Sequence, residues 1–453
     1  MRIARPQKIR SLNRYNPQGY CWVVLTYHNE AVIASKNLWV EIGLKGVLAA
    51  VDELNDDQVI ALSEQFGTHN YHPLPINIVR GDGPWVVDGQ GKHYLDCVGA
   101  YSAVAHGHLN KAVTETLLRQ LERVALTSRA FYNSELALFL MGLAQYCDLD
   151  MVCPMNTGAE AVETCIKLAR KWGYTVKGIP DNQAEIIVCA DNFHGRTTTI
   201  VGFSTEEGYK KGFGPFTPGF KIIPFGDIEA LRNAITPNTA AFMAEPIQAE
   251  GGIIIPPDGY LSQVRQLCSD NNVLLIWDEV QTGFCRTGKR FAWMHEDAKP
   301  DIMAVGKPLG GGVLPVSAAV GRKEVMQVFQ PGDHGSTFGG NPLGAVVALA
   351  ALAEMENLKL AERSAELGAY VVDRLRALNS PLIHEIRGRG LLIGVEVNPG
   401  VDTKRLSATF VSHGILTKET RHRTFRLAPP LIIDQALADE IVHRVGKSLK
   451  ESE

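Results

Sequence analysis

The feature that most constrains this chain is a series of short, almost continuously apolar runs at 185–190, 240–244, 273–277, 302–305 and 316–320, separated by stretches of helical periodicity. A run with no polar alternation has no solvent face, so each reads as a strand covered on both sides. Strands of that kind alternating with helices predict an α/β architecture around a mainly parallel sheet. Three runs end close to an ionisable residue: Glu245 after 240–244, Asp278 after 273–277, and Lys307 shortly after 302–305. Open α/β sheets bind ligands outside the carboxyl ends of their strands, so these three groups read as one site.

A chain of 453 residues accommodates two domains. The expected division is an N-terminal extension over 1–60, a segment over 61–110 that joins a smaller domain, a large domain over 111–345, and a small α+β domain over 346–453. Helical patterns at 342–358 and 361–378 lead to Gly388-Arg389-Gly390 and a strand at 391–397. Residues 85–88 and 93–96 read as a hairpin about Gly89-Gln90-Gly91, and the stretch 70–105 is expected to join the small domain.

Composition excludes several function classes. The net charge is −4 with both signs spread along the chain, which leaves no footprint for nucleic acid or an anionic membrane. The eight cysteines form no CxxC pair and read as reduced thiols. No apolar run spans a bilayer, and 344–353 reads as a core helix. Arg2, Arg5, Lys8, Arg10 and Arg14 precede the first acidic residue, Glu30. That stretch reads as a basic arm or upstream sequence, with an organelle transit peptide as the alternative, and 21–25 is too short for a signal-peptide core. A cytoplasmic location is expected, or an organelle matrix on the transit-peptide reading.

Lys307 leaves an apolar strand and enters Pro308-Leu309-Gly310-Gly311-Gly312. Lysine is costly to bury unless it is paired or chemically used, and a carbonyl cofactor would trap it as a Schiff base. A surface lysine on a glycine turn is an equal reading. Asp278, emerging from a buried strand, suits a protonated pyridine nitrogen. It also suits magnesium, but the chain has no GxxxxGK[ST] loop to accompany the metal. In Pro154-Met155-Asn156-Thr157-Gly158-Ala159-Glu160, Asn156 or Thr157 can cap a helix. The backbone N–H groups of Gly158 and Ala159 would then form an anion site suited to phosphate, and a plain capped helix is the simpler reading. Ser336 and Thr337, in His334-Gly335-Ser336-Thr337, could add hydroxyl donors. Phe193 could stack on a flat ring and Arg196 could grip a carboxylate, or the two could be a core aromatic and a surface ion pair. His194, His69, His72, His106 and His108 lack a second ligand pair at metal spacing and read as structural, so no metal site is expected.

The order of these elements resembles the class III (ω-amino acid) aminotransferases of the fold type I pyridoxal-phosphate enzymes, from about Val59 to the end of the chain. Five runs resemble the branch of that class whose donor is ornithine: His69-Asn70-Tyr71-His72-Pro73-Leu74-Pro75, Thr127-Ser128-Arg129-Ala130-Phe131-Tyr132, Leu168-Ala169-Arg170-Lys171-Trp172-Gly173-Tyr174, His334-Gly335-Ser336-Thr337 and Phe425-Arg426-Leu427-Ala428-Pro429-Pro430. The resemblance implies a large domain with a seven-stranded sheet, a smaller α+β domain, and pyridoxal 5′-phosphate as cofactor. It implies that Lys307 binds the cofactor and shuttles the proton. Asp278 pairs with the ring nitrogen, Phe193 stacks on the ring and Gln281 lies near its hydroxyl. Gly158, Ala159 and Ser336 hold the phosphate, with Thr337 supplied by the neighbouring subunit of a homodimer.

For substrates, the resemblance implies L-ornithine and 2-oxoglutarate. Arg196 takes ornithine's α-carboxylate, Tyr71 meets its α-amino group, and Tyr101 is a further substrate contact. Glu250 pairs with Arg426 in the first half-reaction and releases it to the α-carboxylate of 2-oxoglutarate in the second. The alternatives are another ω-amine donor (acetylornithine or 4-aminobutyrate), an aminomutase, or a non-catalytic cofactor-binding protein. Departures from the family pattern are Pro308, expected to bias Lys307 toward an extended backbone, Gly107-His108-Leu109-Asn110 in place of Gly-His-x-His-Pro, and His194 where some relatives carry tryptophan. The first sixty residues lie outside the resemblance.

Overall fold

The computed structural model describes residues 13–15, 21–23, 51 and 53–453. The expected basic arm lies outside the described residues apart from two three-residue strands, Asn13–Tyr15 (β1) and Cys21–Val23 (β2), which pair antiparallel. The chain divides into two compact units, one of residues 1–80 and 87–92, the other of residues 81–86 and 93–453.

In the first unit, Asn55 caps the helix Asp56–Phe66 through a reciprocal box with Gln58. Asn77 Nδ2 donates to Asp56 Oδ1 at 2.9 Å. The strands after this helix are Ile78–Asp82 (β3), Trp85–Asp88 (β4) and His93–Asp96 (β5). The turn expected at Gly89-Gln90-Gly91 is formed, and Asp88 N–H donates to the Lys92 carbonyl at 3.1 Å.

The second unit is built on a seven-stranded sheet. Its strands are Met151–Met155 (β6), Glu185–Cys189 (β7), Phe220–Ile223 (β8), Thr239–Ala244 (β9), Leu274–Asp278 (β10), Ile302–Val305 (β11) and Ser317–Gly321 (β12), in the order β6-β12-β11-β10-β9-β7-β8. The five strands from β11 to β8 are parallel, whereas β12 runs antiparallel to both β11 and β6. The expected strands are present with ends shifted by no more than one residue. The sheet adds β6 and β8 at its two edges, where burial is only partial. Pro154 and Lys221 sit in these edge strands, where a missing ladder donor or a half-solvated side chain is tolerated.

Both faces of the inner strands are covered. Phe242, Leu275, Trp277, Met303 and Val305 join one apolar cluster, while Met243, Leu274, Ile276, Ile302 and Ala304 join another, as the twofold period of a strand demands. The second cluster includes Val162, Cys165, Ile166, Ala169 and Trp172 of the helix Gly158–Trp172. That packing fixes the helix's first turn at the carboxyl end of the sheet.

The C-terminal part has its own antiparallel sheet of Ile383–Arg389 (β13), Leu392–Val397 (β14), Lys418–Thr420 (β16) and Thr424–Leu427 (β17), ordered β13-β14-β17-β16. The expected strand near 391–397 is therefore one arm of a hairpin that turns at Gly390. A short strand, Ile415–Leu416 (β15), pairs in parallel with β5 and ties the residues after 92 to this part of the chain. Helices Pro342–Asn357, Leu360–Arg376, Thr403–Ser412 and Gln435–Ser452 complete it.

Gly368, inside Leu360–Arg376, is one point where backbone meets backbone. A Cβ there would lie 2.1 Å from the carbonyl carbon of Gly390, itself at φ +57° in the β13–β14 turn. Neither chain can yield locally, so Gly368→Ala is expected to lower unfolding stability by about 1–3 kcal/mol. Denaturant unfolding measures this, and a wild-type midpoint in the variant would contradict the packing described.

Candidate active site

Glu245 follows β9, Asp278 ends β10, and Lys307 stands two residues beyond β11. They line a single cavity of about 200 Å³, together with Gly158, Ala159, Phe193 and Gln281. The structure thus assembles six of the residues singled out from sequence as cofactor-binding, and adds His194 and Glu245 to the walls.

One end of the cavity is made by the first turn of the helix Gly158–Trp172. Thr157 is its cap, and the box it forms with Glu160 engages the N–H of Glu160 and of Thr157 itself. That arrangement leaves the N–H groups of Gly158 and Ala159 unclaimed at the positive end of the helix. Ser336 is tied to this turn because its Oγ accepts from Asn156 Nδ2 at 3.0 Å and from Gly339 N–H at 2.9 Å. Thr337 is exposed and does not line the cavity.

At the other end Asp278 is buried. Its Oδ1 accepts from Val280 N–H at 3.0 Å and its Oδ2 lies 2.7 Å from His194 Nδ1. Among the described residues no group of three His, Cys, Asp or Glu is placed to share a metal ion. Burial alone would pull the His194 pKa down. The hydrogen bond and charge of Asp278, with the charge of Glu245, together offset that, and the net shift is upward. Its Nε2 is buried and has no hydrogen-bond partner among the described residues. Glu245 accepts from the N–H groups of Phe193 at 2.9 Å and Ala249 at 3.1 Å, and burial pushes its pKa up to about 7.

Lys307 is the nucleophile candidate. Loss of hydration pulls its pKa down to about 8, with Arg426 adding to the effect while Glu250, Asp278 and Glu245 oppose it. Its backbone corrects the expectation drawn from Pro308. Lys307 is not extended but has φ +43°, within a tight turn over Lys307–Gly310 closed by Leu309 N–H to Gly306 C=O at 3.1 Å. A following proline disfavours the right-handed helical region. The reversal required straight after β11 then selects positive φ, at a cost of about 1–3 kcal/mol for a side-chain-bearing residue.

Two arginines are expected from the sequence to hold substrate. Arg426, buried in β17, is ion-paired with Glu250 and donates to Gln281 Oε1 at 3.2 Å, while Gln281 Nε2 donates to Glu250 at 3.4 Å. Its guanidinium carbon lies 5.2 Å from the ring centroid of Tyr101. Burial alone would raise the Glu250 pKa, but the charges of Arg426 and Lys307 and the hydrogen bonds from Arg426 and Gln281 together bring it below the ordinary carboxylate value. Arg196 is exposed and stacks on Tyr209 and Phe193. Tyr71 belongs to the first unit, where it is exposed. Sequence reading took His194 for a structural histidine. Its partner is 84 positions away, and the available signal was its place beside Phe193 just past a strand end.

A helix N-terminus, a buried carboxylate at a strand end and a lysine of lowered pKa stand in one cavity. The family model for class-III aminotransferases matches residues 66–449. The chain belongs to this family. This class-III aminotransferase is 53% identical over 395 residues to the ornithine aminotransferase of Brevibacillus brevis, covering 87% of this chain and 98% of that one. A solved ornithine aminotransferase from Toxoplasma gondii, with partial occupancy of pyridoxal phosphate at its active site, superposes with TM-score 0.88 at 44% identity, over 90% of this chain and 97% of its own. Acetylornithine aminotransferase from Elizabethkingia anophelis superposes with TM-score 0.81, also at 44% identity, over 88% of this chain and all of its own length.

In the cofactor-free chain, reductive methylation of Lys307 by formaldehyde is expected to rise through about pH 8, well below the ordinary lysine value of 10.5. Glu250→Gln removes a charge that holds the proton on, so the midpoint should move lower still. Peptide mass spectrometry across pH reads both values, and a midpoint near that of surface lysines would contradict the assignment.

Proposed function

We propose that this aminotransferase uses pyridoxal 5′-phosphate to move the δ-amino group of L-ornithine to 2-oxoglutarate. The products are glutamate and glutamate-5-semialdehyde, which cyclises to pyrroline-5-carboxylate. The observation that carries this reading is the pairing of buried Arg426 with Glu250 while a second arginine, Arg196, has no carboxylate partner among the described residues. Such a site presents one cation to a donor with a single carboxylate, and a second when Glu250 withdraws for a dicarboxylate acceptor. The names of the most similar relatives agree with it.

When bound, the cofactor supplies an electron-withdrawing ring that accepts the negative charge developing at the substrate's reacting carbon. The protein's residues do the rest. The N–H groups of Gly158 and Ala159, with Ser336, hold the phosphate at the helix N-terminus. Asp278, kept in place by His194, holds the proton on the ring nitrogen. Phe193 bounds one ring face and Gln281 lies beside the ring hydroxyl. Lys307 Nζ, whose pKa burial lowers to about 8, would be the group that takes the proton from the amine-bearing carbon once the cofactor is bound. Arg196 grips ornithine's α-carboxylate, so that the δ-amine reaches the lysine. In the second half-reaction Arg426 takes the α-carboxylate of 2-oxoglutarate and Arg196 the far one.

A homodimer is part of the proposal. Leu118, Leu121, Phe131, Tyr132, Leu138 and Met141 are each more than half exposed, as an apolar face awaiting a second copy would be. Thr337, exposed in its own chain, would serve the phosphate site of the neighbour. A cytoplasmic location is also proposed. It is supported by the free thiols of the described cysteines, and among the described residues no helix is long and apolar enough to cross a membrane.

An acetylornithine donor is the second reading, favoured by the Elizabethkingia neighbour. The deciding assay supplies purified, cofactor-loaded protein with 2-oxoglutarate and L-ornithine, N-acetylornithine or 4-aminobutyrate in parallel. Pyrroline-5-carboxylate from ornithine at a kcat/KM at least tenfold above the other donors is expected. A higher kcat/KM for N-acetylornithine would discard the proposed donor and keep the chemistry.

A further inference from the structure

The two arginines at the substrate side are held by different means. Arg426 is neutralised by Glu250. Arg196 makes no hydrogen bond or ion pair among the described residues, and its guanidinium carbon lies 3.7 Å from the centroid of the Tyr209 ring and 5.6 Å from that of Phe193. Stacking on an aromatic face leaves a guanidinium its full charge and its in-plane N–H donors, whereas a carboxylate partner would occupy both.

The platform is itself fixed. Tyr209 lies in the short helix Glu207–Lys210 and meets Phe193 edge-on, with centroids 6.3 Å apart and planes at 79°. A second guanidinium, that of Arg421, lies 5.4 Å from the same Tyr209 centroid. Arg421 is anchored by Asp191 at 3.1 Å and Glu206 at 3.7 Å. The Tyr209 hydroxyl has no hydrogen bond among the described residues, so the ring face is what the arrangement uses.

We propose that Tyr209 is a specificity-determining positioning residue, whose ring face holds the Arg196 guanidinium charged and unneutralised as the clamp for the substrate carboxylate remote from the reacting amine. The proposal rests on the reading of Arg196 given above. Because the clamp grips a part of the substrate that does not change during reaction, its loss should weaken binding of ground state and transition state alike. KM should then rise while kcat holds.

The test uses the cofactor-loaded enzyme with L-ornithine and 2-oxoglutarate. Tyr209→Leu and Tyr209→Met both remove the π face, Tyr209→Phe keeps it, and Arg196→Gln removes the clamp. The Leu and Met variants are expected to raise the ornithine KM by about 5-fold, the upper end for an exposed cation–π contact, with kcat within about twofold of wild type. The Phe variant should stay within about twofold in both constants. Either of the first two suffices if the other does not fold, as judged by thermal unfolding and the cofactor's absorbance. A wild-type KM in the Leu and Met variants, or a Phe variant as weak as the Leu one, would overturn the proposal. A rise in KM for Arg196→Gln alone would remove only Tyr209's role. An unchanged KM in Arg196→Gln would remove the clamp reading and the proposal with it.

Discussion

The site depends on the register of three parallel strands. Trp277 of β10 stands opposite Ala244 of β9, and Asp278 opposite Ala304 of β11. The residues that follow β9 and β11 therefore emerge beside Asp278. A slip of one residue would turn Asp278 to the other face of the sheet and put Trp277 in its place. Burial on both faces prevents that slip, because every inner-strand side chain would have to change cluster. The functional groups are thus brought together by the apolar core as well as by contacts such as His194 with Asp278, and the cavity can keep several charges in a poorly hydrated space. Those charges set one another: Asp278 raises the pKa of His194, and Arg426 helps lower that of Lys307.

Backbone strain is also present at the same place. Lys307 takes a positive φ straight after β11, in a turn that continues through Gly311 at φ +59° and Gly312 at φ +76°. The glycines adopt such angles without penalty, whereas the lysine does not. The surrounding core must hold it there. Substrate selection adds a second division of labour. One arginine is paired with Glu250, which on the proposed function withdraws for a dicarboxylate, and the other rests on a ring that cannot neutralise it.

Much of this was legible in the sequence. The inner strands were readable because burial on two faces leaves a continuous apolar signature, while β6 and β8 were not, since edge strands mix Pro154 or Lys221 into theirs. Glu245, Asp278 and Lys307 announced a site because strand ends are where ligands bind in such sheets. The pairing of Glu250 with Arg426 was reachable only through resemblance, as 176 positions separate the two. His194 and Tyr209 were missed for a related reason. A histidine or tyrosine carries no local signal of the carboxylate or guanidinium it will meet, and only the fold brings those together. Pro308 misled because a proline excludes one backbone region for its predecessor without choosing among the rest.

The central claim is that Lys307 is the residue to which the cofactor is attached. The direct measurement is borohydride reduction of the chain loaded with pyridoxal 5′-phosphate, followed by digestion and mass-spectrometric location of the pyridoxyl group. The account predicts stoichiometric label on the peptide carrying Lys307 and none elsewhere. Label on a different lysine, or no label in a chain that turns over ornithine, would contradict it.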